Sequence, residues 1–452
     1  MDIKKFFEPE SIAILGVSKT PEKVGSVIFK NLIDSGFKGK VFAVNPNEDF
    51  VLGYKSYPSV KNIKGNIDLA IIAVPSDVVI KTVKECAQKK IKNILMVTAG
   101  FGETGNLKLY EELLNILNKN KIKLIGPNVL GLINNYNNVD TLFIPFYRLK
   151  RPKKGNISFV TQSGAFGSSV LDLISAEGYG LSKFISYGNC LDIDESDLLD
   201  YLNKDKTTEV IVLYIEGVKN GRKFFETLKK IKKPVIVLKG GKFIESKKST
   251  LSHTGSLAGT YETYQGVFHQ TCCIPADFIQ DVFDFLRLFE KNIEVKGNRI
   301  QIITNGGGHG VISADAVIHY GLKLAELSDL SKKIFKKSLP SIATISNPLD
   351  LVGDADDLRY KLAIETCLHD KNSDVILLNL LYQTPRLTKN IVDIITSLNN
   401  KNLKPIVVVS TGSYLTMELE KALENKGIPC FQFPENAVKS IKAVYDYYQY
   451  RK

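Results

Sequence analysis

Short apolar runs alternate with amphipathic segments along the first third of the chain. The runs are continuous and rich in β-branched residues, which is typical of strands in a parallel sheet that is covered on both faces. The predicted strands span 11–16, 40–45, 69–74, 93–98 and 123–126. Between them, apolar residues recur at helical spacing and predict helices over 24–34, 77–89 and 108–119. The order of strand, Gly turn and helix predicts a doubly wound, Rossmann-like α/β domain.

The rest of the chain contains a pattern that occurs twice. Each copy has a strand that runs into a Gly-rich turn and a helix, an Asn-Asp segment, a second apolar strand and a Lys-Pro-strand-Gly sequence. These landmarks span 155–164, 188–194, 209–215 and 233–241 in the first copy, and 297–306, 347–354, 374–380 and 404–412 in the second. Because all four recur in the same order, we predict two related flavodoxin-like, doubly wound domains.

Changes in composition predict where the domains meet. A basic, Pro-containing stretch at 147–154 follows the Rossmann-like part, and 290–297 separates the two copies of the repeat. A helix over about 435–448 closes the last copy. The predicted domains are a Rossmann-like domain at 1–146 and two flavodoxin-like domains at 155–290 and 297–452.

Composition and charge remove several classes of function. The 452 residues are 44% hydrophobic and 24% charged, as in globular proteins. The net charge is +12, and almost all of the positively charged residues are Lys. The lysines lie in short runs beside acidic residues without interleaved aromatics, so we expect a solvated surface and no nucleic-acid partner. No apolar run approaches the roughly 18 residues of a membrane span, and residues 1–10 do not resemble a signal peptide. We therefore expect no membrane association.

The cysteines and histidines argue against a metal or disulfide framework. The six Cys are scattered without a C-x-x-C pair, and the five His are equally dispersed. This distribution excludes a zinc ribbon, predicts no metal site and favours a cytoplasmic location.

The first Gly turn lies where a Rossmann fold receives phosphate groups. Gly16, Val17 and Ser18 end the first strand, and Gly25 follows at the start of the next helix. The turn lacks the G-x-G-x-x-G pattern, and Asn45 stands where an NAD-binding fold carries an acid for the ribose, so a nicotinamide cofactor is disfavoured. A purely structural βα turn is the alternative.

A second small-residue turn, 161–167, also ends a strand and begins a helix. Unpaired N–H groups at such a helix start suit a phosphoryl or acyl-phosphate group. It is not a Walker A loop, because no Lys-Ser/Thr pair follows. The Ser163 hydroxyl is either a nucleophile or, without a base at a recognisable spacing, a helix N-cap.

The stretch 252–259 carries the strongest candidate for chemistry. His253 stands among Gly, Ser and Ala, and a neutral imidazole is a competent nucleophile towards phosphorus when a carboxylate holds its other nitrogen. Glu216 ends the strand 210–215 and is therefore predicted at the carboxyl edge of the sheet as that partner. A hydrogen-bonded surface histidine is the alternative. His309 lies in the corresponding Gly turn of the third domain, and the other histidines are expected to be ordinary surface or boundary residues.

Together these segments resemble the NDP-forming acyl-CoA synthetases, specifically the α subunit of the archaeal ADP-forming acetyl-CoA synthetase, which is related to the succinyl-CoA synthetase α subunit. The resemblance covers essentially the whole chain. The matching motifs are SIAILGVS with VGSVIF (11–18, 24–29), AVNPNE (43–48), AVPS (73–76), TAGFGE (98–103), GPNVLG (126–131), TQSGAFG (161–167), DIDESDLL (192–199), YIEG (214–217) and SHTGSLAG (252–259).

The resemblance implies an acid–thiol ligase that converts acyl-CoA, ADP and phosphate into the free acid, CoA and ATP. It implies that His253 is phosphorylated during turnover, that Glu216 fixes its ring, and that Ser163 and Gly164 hold the phosphoryl group. The residues implied in CoA binding are Gly16, Val17, Ser18, Lys23, Asn45, Pro46, Val74, Pro75, Thr98, Ala99, Gly100 and Asn128.

The resemblance also implies a partner. Nothing in the sequence resembles the ATP-grasp domain that binds ADP in this family, and there is no P-loop. We therefore expect a separate ATP-grasp β subunit that holds ADP or ATP with Mg, in an α₂β₂ assembly. Two positions depart from the family pattern: Val129 stands where many members have Cys, and His309 where Pro is common.

Three alternatives remain at this stage. A non-catalytic CoA-binding or CoA-sensing protein of the same fold would bind CoA without phosphorylation of His253. A protein acetyltransferase of the related class would carry a further domain, which the sequence through Lys452 does not show. An NAD-dependent dehydrogenase is disfavoured by the Asn45-Pro46 pair.

Overall fold

In the computed structural model of the chain, residues 3–101, 107–243, 260–271 and 273–451 are described. The chain divides into two compact units, Met1–Asp277 and Phe278–Lys452. Among the described helices, none is both long enough and apolar enough to cross a bilayer.

The first sheet of the first unit has the strand order β3-β4-β2-β1-β5-β6-β7. Its strands are β1 (Ser11–Leu15), β2 (Lys40–Val44), β3 (Phe50–Val51), β4 (Tyr54–Tyr57), β5 (Leu69–Ile72), β6 (Asn93–Met96) and β7 (Lys123–Ile125). The helices are α1 (Lys4–Phe7), α2 (Val24–Asp34), α3 (Ser76–Gln88) and α4 (Leu107–Asn120), with a 3₁₀ turn at Val60–Asn62. Apart from the short antiparallel pair β3–β4, all pairings are parallel, which gives the strand order of a Rossmann fold.

The second sheet of this unit has the order β14-β13-β12-β10-β11-β8-β9. Its strands are β8 (Leu132–Asn134), β9 (Val139–Asp140), β10 (Lys154–Thr161), β11 (Leu181–Ser186), β12 (Val210–Ile215), β13 (Val235–Lys239) and β14 (Ile274–Ala276). The helices are α5 (Gly164–Ala176), α6 (Glu195–Lys204), α7 (Gly221–Lys230) and α8 (Tyr261–His269). From β14 to β11 the strands are parallel in the flavodoxin order, while β8 pairs antiparallel with β11.

One apolar core is shared by both sheets of the first unit. The ring of Phe7 stacks on Tyr201 with centroids 4.5 Å apart, and the Asn134 side chain donates to the Phe7 carbonyl at 2.9 Å. A buried ion pair joins Arg151 to Asp140 at 2.6 Å, so the basic stretch after the first sheet is anchored to β9. This packing holds the loops of the two sheets together, and these loops form the candidate site.

The second unit contains one sheet of order β16-β15-β18-β19-β20, with β17 paired to β15. Its strands are β15 (Arg299–Thr304), β16 (Lys323–Leu324), β17 (Leu349–Asp350), β18 (Val375–Asn379), β19 (Ile406–Val409) and β20 (Cys430–Phe431). Its helices are α9 (Ile279–Phe289), α10 (Gly307–His319), α11 (Asp329–Ser338), α12 (Asp357–His369), α13 (Ile391–Asn399), α14 (Tyr414–Asn425) and α15 (Pro434–Tyr450). The buried Tyr360 hydroxyl lies 2.8 Å from both the Asn305 side-chain oxygen and the Asn379 carbonyl oxygen, which ties α12 to the carboxyl ends of β15 and β18.

The fold class is as the sequence predicts. The parallel strands of the second and third sheets share one order, as expected from the repeated landmarks. The helix α2 has the predicted bounds, whereas β1, β2 and β6 end one or two residues early. Gly16, Asn45 and Thr98 leave the sheet as turns there, and they become part of the site.

Candidate functional site

A large cavity lies at the carboxyl edges of the two sheets of the first unit. Its volume is about 1140 Å³, which is sufficient for a large cofactor. The first sheet supplies the loops that follow β1, β2, β5 and β6, and the second sheet supplies the residues that follow β10 and β12. This is the edge at which open α/β sheets bind ligands.

The first turn is shaped by two glycines. Gly16 has φ of +107°, and a Cβ there would lie 2.4 Å from the Ala73 carbonyl oxygen. A Cβ on Gly25 would lie 2.4 Å from the carbonyl oxygen of Gly16. Side chains at either position would push the turn away from β5 or from α2. The turn therefore lies against the start of α2, where the helix dipole favours an anion.

Side-chain hydrogen bonds join the neighbouring loops. The Asn45 amide donates to the Val17 carbonyl at 2.7 Å, and its oxygen accepts from the Asn47 N–H at 2.8 Å. The Thr98 hydroxyl donates to the Val74 carbonyl at 2.6 Å. Asn45 thus holds two loops together at the position where a dinucleotide-binding fold would present a carboxylate.

On the opposite wall, Ser163 is the N-cap of α5. Its hydroxyl accepts from the Phe166 N–H at 3.3 Å, so the N-cap interpretation of the sequence is the one that the structure supports. The ring of Phe166 stacks on Tyr214 with centroids 4.1 Å apart. Ser163 and Gly164 both line the cavity, at a helix start that favours a phosphoryl group.

Glu216 lies beside this helix start and is only 8% exposed. Its backbone N–H donates to the Gln162 side-chain oxygen at 2.7 Å, and the Tyr214 hydroxyl donates to Oε1 at 3.3 Å. The second carboxylate oxygen, Oε2, is buried and has no hydrogen-bond partner among the described residues. A buried carboxylate oxygen in this state can accept a hydrogen bond from a further N–H donor.

A buried cluster of titratable groups lies next to Gly188, which is part of the cavity wall. It consists of Tyr187, Cys190 and Glu195. Glu195 is 2% exposed, and burial raises the pKa of its carboxyl group from 4.5 to about 7. Burial and the neighbouring Glu195 carboxylate together raise the pKa values of the Tyr187 hydroxyl and the Cys190 thiol.

Replacing Glu195 with Gln should change how stability depends on pH. Because the pKa of Glu195 is raised to about 7, the folded chain retains the proton between about pH 4.5 and pH 7, whereas the unfolded chain releases it. The stabilising contribution of the protonated Glu195 is therefore complete below pH 4.5 and is lost as the pH rises to about 7. The variant lacks this loss, so its stability relative to the natural chain should increase by about 3 kcal/mol between pH 4.5 and pH 8.

The measurement is thermal unfolding of both proteins at several pH values in this interval. A Glu111→Gln variant changes an exposed carboxylate in the same unit and should follow the natural chain. Parallel curves for the natural chain and the Glu195→Gln variant would contradict the raised pKa.

Most of the predicted site residues meet in this one cavity. The predicted residues that line it are Gly16, Val17, Ser18, Lys23, Asn45, Pro46, Val74, Pro75, Thr98, Ala99, Asn128, Ser163, Gly164 and Glu216. Gly100 follows Ala99 but is not part of the lining. His253 lies outside the described residues. His309 lies in the first turn of α10 in the second unit.

The sequence did not predict some of the lining residues. One face of α3 contributes Val78, Lys81, Thr82 and Glu85. Their helical spacing is visible in the sequence, but it does not indicate that this face meets a cavity. Val129, which stands at the position of the family cysteine, also lines the cavity.

Comparison with protein families matches all three parts of the chain. A CoA binding domain matches residues 10–135, a succinyl-CoA ligase like flavodoxin domain matches 154–289, and a ligase-CoA domain matches 300–451.

Among individual proteins, the α subunit of the ADP-forming acetate–CoA ligase II of Pyrococcus furiosus is 38% identical over 449 residues, which cover 97% of this chain and 96% of that protein. The ADP-forming acetate–CoA ligase of Methanocaldococcus jannaschii is 39% identical, and the match covers 99% of this chain but 63% of that longer protein. Among solved structures, the dinucleotide-forming acetyl-coenzyme A synthetase 1 of Ca. Korarchaeum cryptofilum, in complex with phosphate and ADP, has a TM-score of 0.92 at 33% identity and covers 100% of this chain and 97% of its own.

Proposed function

This chain belongs to the family of NDP-forming acyl-CoA synthetases, among the α subunits of ADP-forming acetate–CoA ligases, and we propose that it forms ATP from acyl-CoA, ADP and phosphate together with a β subunit. The other products are the free acid and CoA. Acetyl-CoA is the acyl-CoA we propose, because the full-length relatives are named for acetate.

One observation carries the proposal: a single cavity joins the loops of a CoA-binding type of domain to the helix start at Ser163 and to the carboxylate of Glu216. A cofactor-sized ligand held by the first sheet can therefore present its reactive end to the second sheet. The residues that bind CoA in this proposal are those that the resemblance implies, apart from Gly100, which does not line the cavity.

The reaction proceeds in three transfers. A phosphate oxygen attacks the thioester carbonyl carbon, the C–S bond breaks, and the CoA thiolate leaves and takes a proton, which forms an acyl phosphate. The neutral His253 nitrogen then attacks phosphorus, and the P–O bond to the acyl group breaks, with its electron pair leaving on the acyl oxygen, to release the carboxylate of the acid. Finally an oxygen of the ADP β-phosphate attacks the phosphohistidine, which forms ATP and frees the imidazole.

The described residues stabilise the second of these transfers. The start of α5, capped by Ser163, directs backbone N–H groups and the positive end of the helix dipole towards the phosphoryl group. Glu216 accepts the N–H of the His253 ring through its unpartnered Oε2, which keeps the other ring nitrogen unprotonated for attack. Exclusion of water protects the phosphohistidine until ADP accepts the phosphoryl group.

The β subunit supplies what this chain lacks. We propose that it is an ATP-grasp protein that holds ADP with Mg, and that the assembly is α₂β₂. The longer relative from M. jannaschii, of which this chain spans 63%, supports a further part that completes the enzyme. We place the enzyme in the cytoplasm, since Cys86, Cys190, Cys367 and Cys430 are buried free thiols.

The test is reconstitution with the ATP-grasp chain of the same organism. The chain alone should bind CoA but form no ATP from acetyl-CoA, ADP and phosphate, and addition of the partner should start ATP formation. ATP formation by the chain alone would contradict the proposal that a β subunit is needed to bind ADP. CoA binding without ATP formation in the presence of the partner would favour a CoA-sensing protein instead.

A further inference from the structure

The cavity extends beyond the phosphate-binding turn along one side of α3. Val78, Lys81, Thr82 and Glu85 line it at helical spacing, and Pro58 lies at the same end. Ser163 and Glu216 belong to the second sheet and line the cavity elsewhere. The groove along α3 thus belongs to the first sheet's domain, whereas the residues proposed for phosphoryl transfer belong to the second sheet.

Among the described residues, one positively charged side chain of this groove, Lys81, has no ion-pair partner. Lys81 is exposed and forms no hydrogen bond or ion pair among the described residues. By contrast, Lys84 on the same helix pairs with Glu112 at 3.0 Å and does not line the cavity. The Glu85 carboxylate accepts from the Ser59 hydroxyl at 2.6 Å, so Glu85 already has a partner, whereas Lys81 has none in the described part of the chain.

The chemistry of CoA indicates which ligand group Lys81 can bind. This inference rests on the proposed function. The thioester end must reach Ser163 and Glu216, where the acyl phosphate forms. The diphosphate in the middle of CoA suits the turn of Gly16 at the start of α2. The adenosine, with its 3′-phosphate, then extends past this turn. We propose that Lys81 binds the 3′-phosphate of CoA and that it gives the enzyme its preference for CoA over dephospho-CoA.

The expected effect is moderate. An ammonium group is a point charge that pairs well with phosphate, but Lys81 is exposed and its attraction is screened by salt. We expect Lys81 to strengthen CoA binding about tenfold at low ionic strength, a value in the range of a charge-assisted hydrogen bond. The preference for CoA should decrease as the salt concentration rises.

The test compares CoA with dephospho-CoA, which differ only in the 3′-phosphate. Dissociation constants of the full chain for both ligands are measured calorimetrically for the natural protein, Lys81→Ala, Lys81→Arg and the matched control Lys84→Ala. We expect Lys81→Ala to bind CoA about tenfold more weakly and to bind dephospho-CoA unchanged. Lys81→Arg and Lys84→Ala should keep the preference for CoA. Ala is favourable in a helix, and thermal unfolding verifies that each variant is folded.

The other outcomes separate this inference from the proposed function. Equal weakening of both ligands by Lys81→Ala would assign Lys81 to the diphosphate and overturn the inference. Unchanged binding of both ligands would also overturn it. In both cases the proposed function would stand, because CoA still binds. A natural protein that binds neither ligand would overturn the proposed function and this inference together.

Discussion

Replacing His253 with Asn should reduce the formation of ATP from acetyl-CoA, ADP and phosphate at least about 1,000-fold in the complex with the β subunit. Asn keeps a polar side chain, but it has no nitrogen that can accept and return the phosphoryl group. The affinity for CoA should not change, since the residues proposed to bind CoA belong to other segments of the sequence. The initial rate of ATP formation and the dissociation constant for CoA are the two measurements.

The matched control is His319→Asn, which changes an exposed histidine at the end of α10. It should retain the rate of the natural protein. A His253→Asn variant that keeps a tenth or more of the natural rate would show that another group transfers the phosphoryl.

Replacing Glu216 with Gln should reduce the rate of phosphohistidine formation at least about 100-fold, with little change in the KM for CoA. In the proposed mechanism the carboxylate accepts the N–H of the imidazole and stabilises the positive charge that develops on the ring, whereas a neutral amide would be a weaker acceptor. The fold should tolerate this change, because Oε2 of Glu216 has no partner among the described residues that the amide would displace. Rapid-quench measurement of protein-bound phosphate gives the rate.

The control Glu209→Gln removes an exposed carboxylate at the other end of the same strand, β12. It should leave the rate unchanged. If Glu216→Gln forms phosphohistidine at the natural rate, Glu216 does not orient the ring. Lower thermal stability of Glu216→Gln would instead indicate a structural role for Glu216.

The regular part of the fold follows from local sequence patterns. The helix α2 and the buried strands of all three sheets were predictable because continuous apolar runs and helical spacing are properties of short segments. The hairpin of β8 and β9 was not predicted to join the second sheet. These strands have three and two residues, and the pairing of β8 with β11 connects segments about 50 residues apart. No local pattern encodes such a pairing.

The site was less predictable from local sequence patterns than the fold was. Its Gly turns and the carboxylate at the end of β12 follow from the strand–turn–helix pattern, but the role of His253 and the CoA contacts came from the family resemblance. Glu195 comes immediately after the N-cap of α6, where acidic residues are common on solvated helix starts. Its burial depends on packing against residues distant in sequence, so its raised pKa was not predictable. The same limit applies to Lys81, since its helical spacing does not indicate a cavity.

Mass-spectrometric mapping of acid-labile phosphate shows directly whether the phosphoryl group passes through His253. The complex of the chain with its β subunit is incubated with acetyl-CoA and phosphate in the absence of ADP, stopped at alkaline pH and digested. We predict phosphate on the imidazole of His253 in the natural protein and its disappearance after addition of ADP. A complex that forms ATP while His253 carries no phosphate would contradict the account.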